Sequence, residues 1–312
     1  MLAIILSTYN GSSYLRAQLD SLFKQSLPAD LILIRDDGST DDSLAILKEY
    51  QAKYANLSLI EDELGNQGVL RSYSFLLQKA ASLNVDYCMF ADQDDVWFED
   101  KTERLLAEIK GMDETRPALV FSDVELVDSD LNLIASSLFA YQKLKPQRAK
   151  NLKSLLLYSP ALGCTMIFNR LLLNKLVVLW DDFPNPDKWA LLVAASLGEI
   201  KYLKEQTLKY RQHQLNVTGA LRGIHRPKWT LTNLHFLQKR YETALREAAI
   251  LERHLSGMPE EKQRILGRFK SVFRGNFFLR FYNYLHFCLS PPQWQRKLGL
   301  FLSLFLNYDA KP

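Results

Sequence analysis

The chain has 312 residues, 47% of them hydrophobic and 24% charged, with a net charge of +4. That composition is ordinary for a folded protein of one large or two modest domains, and it excludes a disordered or fibrous chain. The charge is uneven: residues 1–221 carry 23 Lys and Arg against 29 Asp and Glu, and residues 222–312 carry 16 against 6, so two parts with different partners are expected.

Three widely spaced cysteines in apolar settings, Cys88, Cys164 and Cys288, match neither a disulfide framework nor a zinc site. They read as small core residues in a reducing compartment. Met1-Leu2-Ala3-Ile4-Ile5-Leu6 lacks the basic start of a signal peptide. No apolar stretch approaches the roughly 20 residues of a membrane span, Leu298–Leu306 coming nearest. A cytoplasmic protein is expected.

Leu2–Leu6 reads as a buried strand, ending in Ser7-Thr8-Tyr9-Asn10-Gly11 before a helical pattern over Tyr14–Phe23. In that turn Ser7 and Thr8 are placed to bond a nucleotide and Tyr9 to stack a base, while Ser12 or Ser13 serves equally as a helix cap. Leu31–Arg35 is a second strand, followed by Asp36-Asp37-Gly38-Ser39-Thr40-Asp41-Asp42 and a helix over Ser43–Tyr54. N-capping accounts for Asp41 and Asp42. Asp36 and Asp37 are strand-end carboxylates, able to accept from a pyrimidine N3–H or from ribose hydroxyls. Leu57–Glu61 is a third strand, and Gly65-Asn66-Gln67-Gly68 then opens a helix over Val69–Ala81. Arg71 lies in its first turn, where a cation opposes the helix dipole; a diphosphate or carboxylate cluster facing it would resolve that conflict.

A fourth strand, Tyr87–Phe90, delivers Ala91-Asp92-Gln93-Asp94-Asp95-Val96-Trp97. Open α/β sheets bind ligands beyond the carboxyl ends of their strands. Asp92 and Asp94 are two apart, so they face one way on extended backbone. Paired carboxylates suit Mg²⁺ or Mn²⁺ held together with substrate phosphates, although an isolated Asp-x-Asp is more often a solvated acidic turn. The β-α-β-α-β-α-β alternation predicts a mostly parallel sheet between helices.

Taken in order, Ser7-Thr8-Tyr9-Asn10, Asp36-Asp37-Gly38-Ser39-Thr40-Asp41, Asn66-Gln67-Gly68 with Arg71, and Asp92-Gln93-Asp94-Asp95 resemble the family 2 glycosyltransferases of the GT-A fold. The resemblance covers residues 1–220. Ala91 to Trp97 is most similar to rhamnosyltransferases that build bacterial cell-wall and capsular rhamnose polysaccharides. The resemblance implies nucleoside contacts from Thr8, Tyr9 and Asp37, and a phosphate contact from Arg71. It places Asp92 near the ribose or donor sugar and makes Asp94 a ligand of Mg²⁺ or Mn²⁺. It further implies an inverting transfer from dTDP-β-L-rhamnose to a lipid-linked saccharide. A UDP-hexose donor is one alternative; a catalytically idle nucleotide-sugar-binding module of an assembly complex is another.

Beyond the acidic motif, the pattern predicts a helix over Glu99–Met112, a strand over Ala118–Phe121 and a hairpin from Val124–Asp128 and Leu131–Ala135. Phe139–Lys150 reads as basic, irregular and mobile. The apolar stretch from Ser154 to Phe168 contains Gly163-Cys164-Thr165, which is either the family's acceptor-side wall or a turn entering a core strand. Asp181-Asp182-Phe183-Pro184-Asn185-Pro186-Asp187-Lys188-Trp189 then leads into a helix over Ala190–Leu197. Relatives carry their base at the start of this helix, often within His-Asp-Trp-Trp. The matching residue is Asp187, with Pro186 in place of the His and Lys188 in place of the first Trp. Asp187 is thus the candidate general base, ahead of Asp181 and Asp182, with a plain N-cap as its other reading.

Strands over Lys201–Leu203 and Thr207–Tyr210 precede Arg211-Gln212-His213. That ending resembles the family's Tyr-Arg-x-His, which brings His213 to the diphosphate or the metal. From Leu221 the pattern turns helical, over Trp229–Leu255, Glu260–Phe273, Phe277–Leu289 and Trp294–Leu306. Interleaved aromatic and basic residues predict a separate region, 221–312, that meets the cytoplasmic face of a membrane or forms an oligomer interface. Nothing upstream supports nucleic acid as a partner. Gln293-Trp294-Gln295-Arg296 departs from the run of the family's processive synthases and no spans accompany it, so a non-processive enzyme is expected.

Overall fold

The structure is a computed structural model that describes residues 1–177, 185–213, 232–288 and 301. The strands β1 (Leu2–Thr8), β2 (Leu31–Asp36), β3 (Leu57–Ile60) and β4 (Tyr87–Ala91) form the parallel half of the sheet. The other half holds β5 (Val96–Trp97), β6 (Ala118–Val127), β7 (Leu133–Ala135), β8 (Met166–Asn169) and β9 (Glu199–Arg211). The strand order is β3-β2-β1-β4-β8-β6-β9-β5, with β7 on β6. β8 runs antiparallel to β4 and β6, whereas β6 and β9 are parallel.

Strand alternation divides the core between the two faces. Ala3 and Ile5 of β1, with Leu119 and Phe121 of β6, pack on one side; Leu2, Ile4 and Leu6, with Ala118 and Val120, pack on the other. The second side is covered by α1 (Ser12–Phe23), α2 (Ser43–Lys53) and, after the intervening helix α3 (Val69–Ser82), by α4 (Lys101–Lys110). The first side is covered by α3 itself and by α5 (Leu138–Tyr141), α6 (Leu152–Leu157), α7 (Arg170–Leu176) and α8 (Pro186–Leu197). α9 (Thr232–His254) and α10 (Glu260–Ser271) join that same cluster through Tyr241, Ala244, Leu251, Leu266 and Phe269. α11 (Phe277–Cys288) follows. The C-terminal helices therefore share their apolar core with the sheet. The expected boundary at residue 220 lies outside the described residues, as do Asp181, Asp182, Gln293–Arg296 and all of Trp294–Leu306 but Phe301.

Three expectations change. β6 and β9 are each one long strand, not two short ones, because pairing bridges their polar interruptions. Ser122 Oγ meets Thr207 Oγ1 at 2.6 Å, and the β6–β9 register slips on either side of Asp123. β7 then adds to β6 as the hairpin arm. Residues 139–150 are not an irregular mobile segment: Ser137 caps α5, a 3₁₀ turn spans Pro146–Lys150, and Phe139, Pro146 and Ala149 are buried.

Arg35, at the end of β2, is fully buried. Its guanidinium takes Asp62 at 2.8 and 3.0 Å, Gly65 O at 3.1 Å, Ser72 Oγ at 2.7 Å, and Asp37. Removing one partner of a buried ion pair leaves a bare charge. Arg35→Leu is expected to destabilise the fold by about 3–5 kcal/mol, read as a lowered urea midpoint at unchanged m-value.

Candidate active site

The carboxyl ends of β1, β2 and β4 lie side by side, and the loops leaving them are tied together. Thr8 Oγ1 donates to Gln93 Oε1 at 2.6 Å, and Tyr9 N donates to the same oxygen at 2.9 Å. Gln93 Nε2 returns a bond to Tyr9 O at 3.2 Å. The acidic motif is thus clamped to the first turn by the one residue in it that carries no charge. Thr8 is buried, while the Tyr9 ring is 46% exposed and open to a stacking partner. Asn10, in the left-handed region at φ 48°, accepts from Thr40 N at 2.8 Å and joins this turn to the next.

Neither Ser12 nor Ser13 caps α1 through its side chain. Asp41 of the neighbouring loop accepts from Ser12 N and from Ser43 N, each at 3.0 Å. Partial burial raises Asp41, but those bonds from Ser43 and Ser12 prevail and hold it down at about 2.

Asp37 differs from the expected nucleoside contact. Its carboxylate is 2% exposed and accepts from Gln67 N and Gly68 N, each at 2.8 Å, while pairing with Arg35. A strand-end carboxylate anchored by two backbone amides and a guanidinium holds the β3–α3 loop in place. It is not an open acceptor. Arg71 sits on that loop's helix, exposed, with Nη1 donating to Gln67 Oε1 at 3.2 Å.

Asp94 and His213 come together from β4's exit and β9's end, with Nε2···Oδ2 at 2.7 Å. Arg211 fixes this meeting: its Nε donates to Asp94 O at 2.8 Å, and its guanidinium lies 4.6 Å from the Tyr14 ring centroid. The Tyr14 ring also packs against His213, centroids 4.7 Å apart. Asp92 and Asp95 lie on the other side of the motif. Their carboxylate oxygens and the Cys164 sulfur fall within 4.8 Å of one another. Asp95 is fully buried, and its Oδ2 has no hydrogen-bond partner among the described residues.

Burial first, then the charges of Asp94 and Asp187, push Asp92 up to about 7. Burial, then Asp94 and Asp92, raise Asp95 well above the usual carboxylate range. Beneath them lies the wholly buried Lys101, whose ammonium sits 3.5 Å from the Trp97 ring centroid and bonds Cys164 O. Burial depresses it to about 7, against the charges of Asp95 and Asp92 that favour its ionised form.

So dense a set of mutually raised carboxylates, one oxygen of it orphaned, fits a divalent cation. Carboxylates suit Mg²⁺ and Mn²⁺; a buried neutral thiol such as Cys164 does not. The acidic groups that could hold the ion are thus Asp92 and Asp95, whose oxygens cluster, and Asp94, which faces His213.

Asp187 stands in the first turn of α8, but it is not the cap, which is Asn185, accepting from Lys188 N at 2.8 Å. Its carboxylate lies directly on Gly163, where a Cβ would overlap it. Burial, opposed by the backbone amides of Gly163 and Asp187, raises Asp187 to about 6. The Tyr73 hydroxyl lies between the two sides of the site, donating to Ala91 O at 2.7 Å and approaching Asp92 Oδ1 at 3.4 Å. Gly163→Ala is expected to displace Asp187 and lower kcat by about 10²-fold, with the fold retained by circular dichroism.

Gln93, Asp95, Lys101, Tyr14 and Arg211 had no assigned role in the sequence, and Cys164 was read only as a core residue or part of an acceptor-side wall. Gln93 and Asp95 lie within the acidic motif, and Arg211 lies in the motif that names His213. Nothing local marks Lys101, which reaches the site only by being buried under it.

The profile of the family described as Glycosyl transferase family 2 matches residues 3–177. The chain belongs to glycosyl transferase family 2. Among curated relatives it is similar to dTDP-rhamnosyl transferase RfbG of Shigella flexneri, 27% identical over 235 residues, 69% of this chain and 74% of that protein. It is also similar to the poly(ribitol-phosphate) beta-glucosyltransferase of Bacillus spizizenii, 31% identical over 156 residues, 42% of this chain but 23% of that protein. Its fold is that of GT-A glycosyltransferases. S. aureus TarS 1-349 in complex with UDP-GlcNAc superposes with a TM-score of 0.57 at 17% identity, covering 96% of this chain and 79% of that one. The mannosyltransferase PcManGT of Pyrobaculum calidifontis, in complex with GDP-Man and Mn²⁺, superposes with a TM-score of 0.54 at 16% identity, covering 97% and 80%.

Proposed function

We propose that this family 2 glycosyltransferase transfers L-rhamnose from dTDP-β-L-rhamnose, with inversion, onto a hydroxyl of a lipid-linked saccharide. The supporting observation is that Asp187 lies near the acidic motif: Tyr73, whose hydroxyl approaches Asp92 at 3.4 Å, and Asp92 itself both feel the Asp187 charge. A base and a donor-diphosphate site this close can act on the two ends of one displacement.

In this reading Tyr9 stacks the donor base, Thr8 and Gln93 shape its seat, and Arg71 meets the diphosphate. Asp92 orients the donor sugar, and His213 orders Asp94. Asp187 accepts the proton of the acceptor hydroxyl as its oxygen bonds the anomeric carbon from the face opposite the diphosphate. The bond from that carbon to the diphosphate oxygen breaks, and the electron pair leaves with the nucleoside diphosphate. A Mg²⁺ or Mn²⁺ ion, when bound, supplies Lewis-acid neutralisation of that leaving charge.

A panel of nucleotide sugars with Mg²⁺ or Mn²⁺, followed by thermal stabilisation and slow donor hydrolysis, tests the donor. Selective response to dTDP-rhamnose is expected. Response to a UDP-hexose alone would replace the donor while keeping the mechanism. Thermal stabilisation by a donor without any hydrolysis would favour an idle binding module, and silence toward every donor would overturn the proposal.

No helix among the described residues is long and apolar enough to cross a membrane. α11 exposes Phe278 (81%), Leu279, Tyr282 and Leu285 along one side, within the basic region of 16 Lys and Arg against 6 acidic residues. We assign this stripe to an anionic membrane surface. Phe278→Glu with Leu285→Glu is expected to reduce co-sedimentation with anionic vesicles. Unchanged sedimentation rejects the assignment, and a fall in oligomer mass instead makes the stripe a subunit interface.

A further inference from the structure

A cavity of about 300 Å³ opens between α6, α8 and α9, lined by Leu157, Tyr158, Ser159, Lys188, Arg240 and Tyr241. Two of its walls belong to the acceptor side of the site. Lys188 follows Asp187 on α8, and Tyr158-Ser159 lead into the Pro160–Gly163 loop on which the Asp187 carboxylate rests. The lining is rich in donors. Ser159 Oγ is buried with no hydrogen-bond partner among the described residues. Arg240 is exposed at the rim and gives one Nη2 bond to Leu157 O, out of the five N–H donors of a guanidinium. Lys188 pairs with Glu247, which is buried behind it. Burial raises Glu247 in pKa, and the charges of Lys188 and Arg240 both act to lower it. Two cations thus face one carboxylate, which leaves the cavity with a positive balance.

We infer that this cavity receives a phosphate group of the acceptor. The inference rests on the reading of Asp187 as the residue that meets the acceptor hydroxyl. A guanidinium fork, an ammonium and a hydroxyl converge on a space that holds one phosphate and an adjoining sugar or alditol unit. A neutral glycan would leave the charge of Arg240 unmatched. The phosphate can come from an isoprenoid diphosphate carrier or from a phosphodiester-linked polyol, and both present the same tetrahedral anion to these donors.

The test is calorimetric titration of the full chain in EDTA, which removes metal-dependent diphosphate binding at the donor cleft. Two probes are used, farnesyl-diphospho-N-acetylglucosamine and ribitol 5-phosphate, each against its neutral counterpart, N-acetylglucosamine or ribitol. At least one phosphorylated probe is expected to bind while its counterpart does not, and the identity of that probe names the source. Arg240→Gln is expected to weaken binding about tenfold. Lys239→Gln, which removes the same charge one residue away and does not line the cavity, is expected to leave it within about twofold. Ser159→Ala, a smaller change than the loss of Arg240, should weaken binding about threefold if Arg240→Gln does not fold. Absence of binding by both probes, equal binding of the neutral compounds, or an equal effect of Lys239→Gln would overturn the inference. Donor hydrolysis by the unmodified chain with Mn²⁺, measured in parallel, reports on the parent reading by itself.

Discussion

Replacing Asp94 with Ala is expected to lower sugar transfer roughly a thousandfold, about 4 kcal/mol of lost transition-state stabilisation. The magnitude follows from where the charge develops. As the bond to the diphosphate breaks, negative charge grows on the leaving oxygen, and a cation held by Asp94 would stand against that charge. Asp94 is the carboxylate that His213 holds at 2.7 Å and whose backbone Arg211 pins at 2.8 Å. Its position is built from two strands that meet only in the folded chain. Its side chain is 14% exposed, so truncation leaves a water-accessible gap, and the fold should survive. Steady-state kcat/KM at saturating Mn²⁺ checks the expectation. EDTA treatment of the unmodified chain should produce a loss of similar size, and a variant that kept activity within threefold would remove Asp94 from the metal site.

Asp187→Asn is expected to lower kcat by roughly 10²–10⁴-fold, the range general-base catalysis supplies, with donor affinity unchanged. The two readouts separate a base from a donor ligand. The pH profile gives a second check. Burial raises Asp187 to about 6, so the neutral acid predominates below that pH and cannot take a proton. The rate should climb about tenfold per unit as pH approaches 6 from below, then level off as the carboxylate form becomes complete. In Asp187→Asn that limb should vanish. The same shift has a stability consequence of opposite sign to the usual paired carboxylate: a raised folded pKa favours the folded state when the group is protonated, and that contribution is lost as pH rises toward and through 6.

The parallel half of the sheet was legible because its polar residues sit at strand ends, where strand period and turn residues announce them. β1, β2 and β4 lie where their apolar runs predict, Tyr9 and Asp94 fall in the turns after β1 and β4, Thr8 ends β1 itself, and Asp187 lies inside α8 rather than in the loop before it. What spacing does not carry is which polar groups find one another across 27 to 119 positions of chain. Asp37 read as an open acceptor because nothing in the local pattern shows that Arg35, two residues back, and the distant amides of Gln67 and Gly68 take up its carboxylate. Gln93 had no role of its own in the sequence, yet it joins two loops. Lys101 read only as part of a charged amphipathic helix, yet it lies buried over Trp97 near the carboxylates, where burial depresses it to about 7. β6 and β9 were cut short for the opposite reason: Ser122-Asp123 and Lys204–Gln206 resemble turns until pairing between the two strands satisfies them.

Calorimetric titration of dTDP into the protein, with Mn²⁺ and again in EDTA, tests most directly whether the Asp94–His213 cleft is a metal-dependent diphosphate site. The account predicts binding with Mn²⁺, none in EDTA, and none in Asp94→Ala under either condition. Equal affinity with and without the metal, or full affinity in Asp94→Ala, would contradict it.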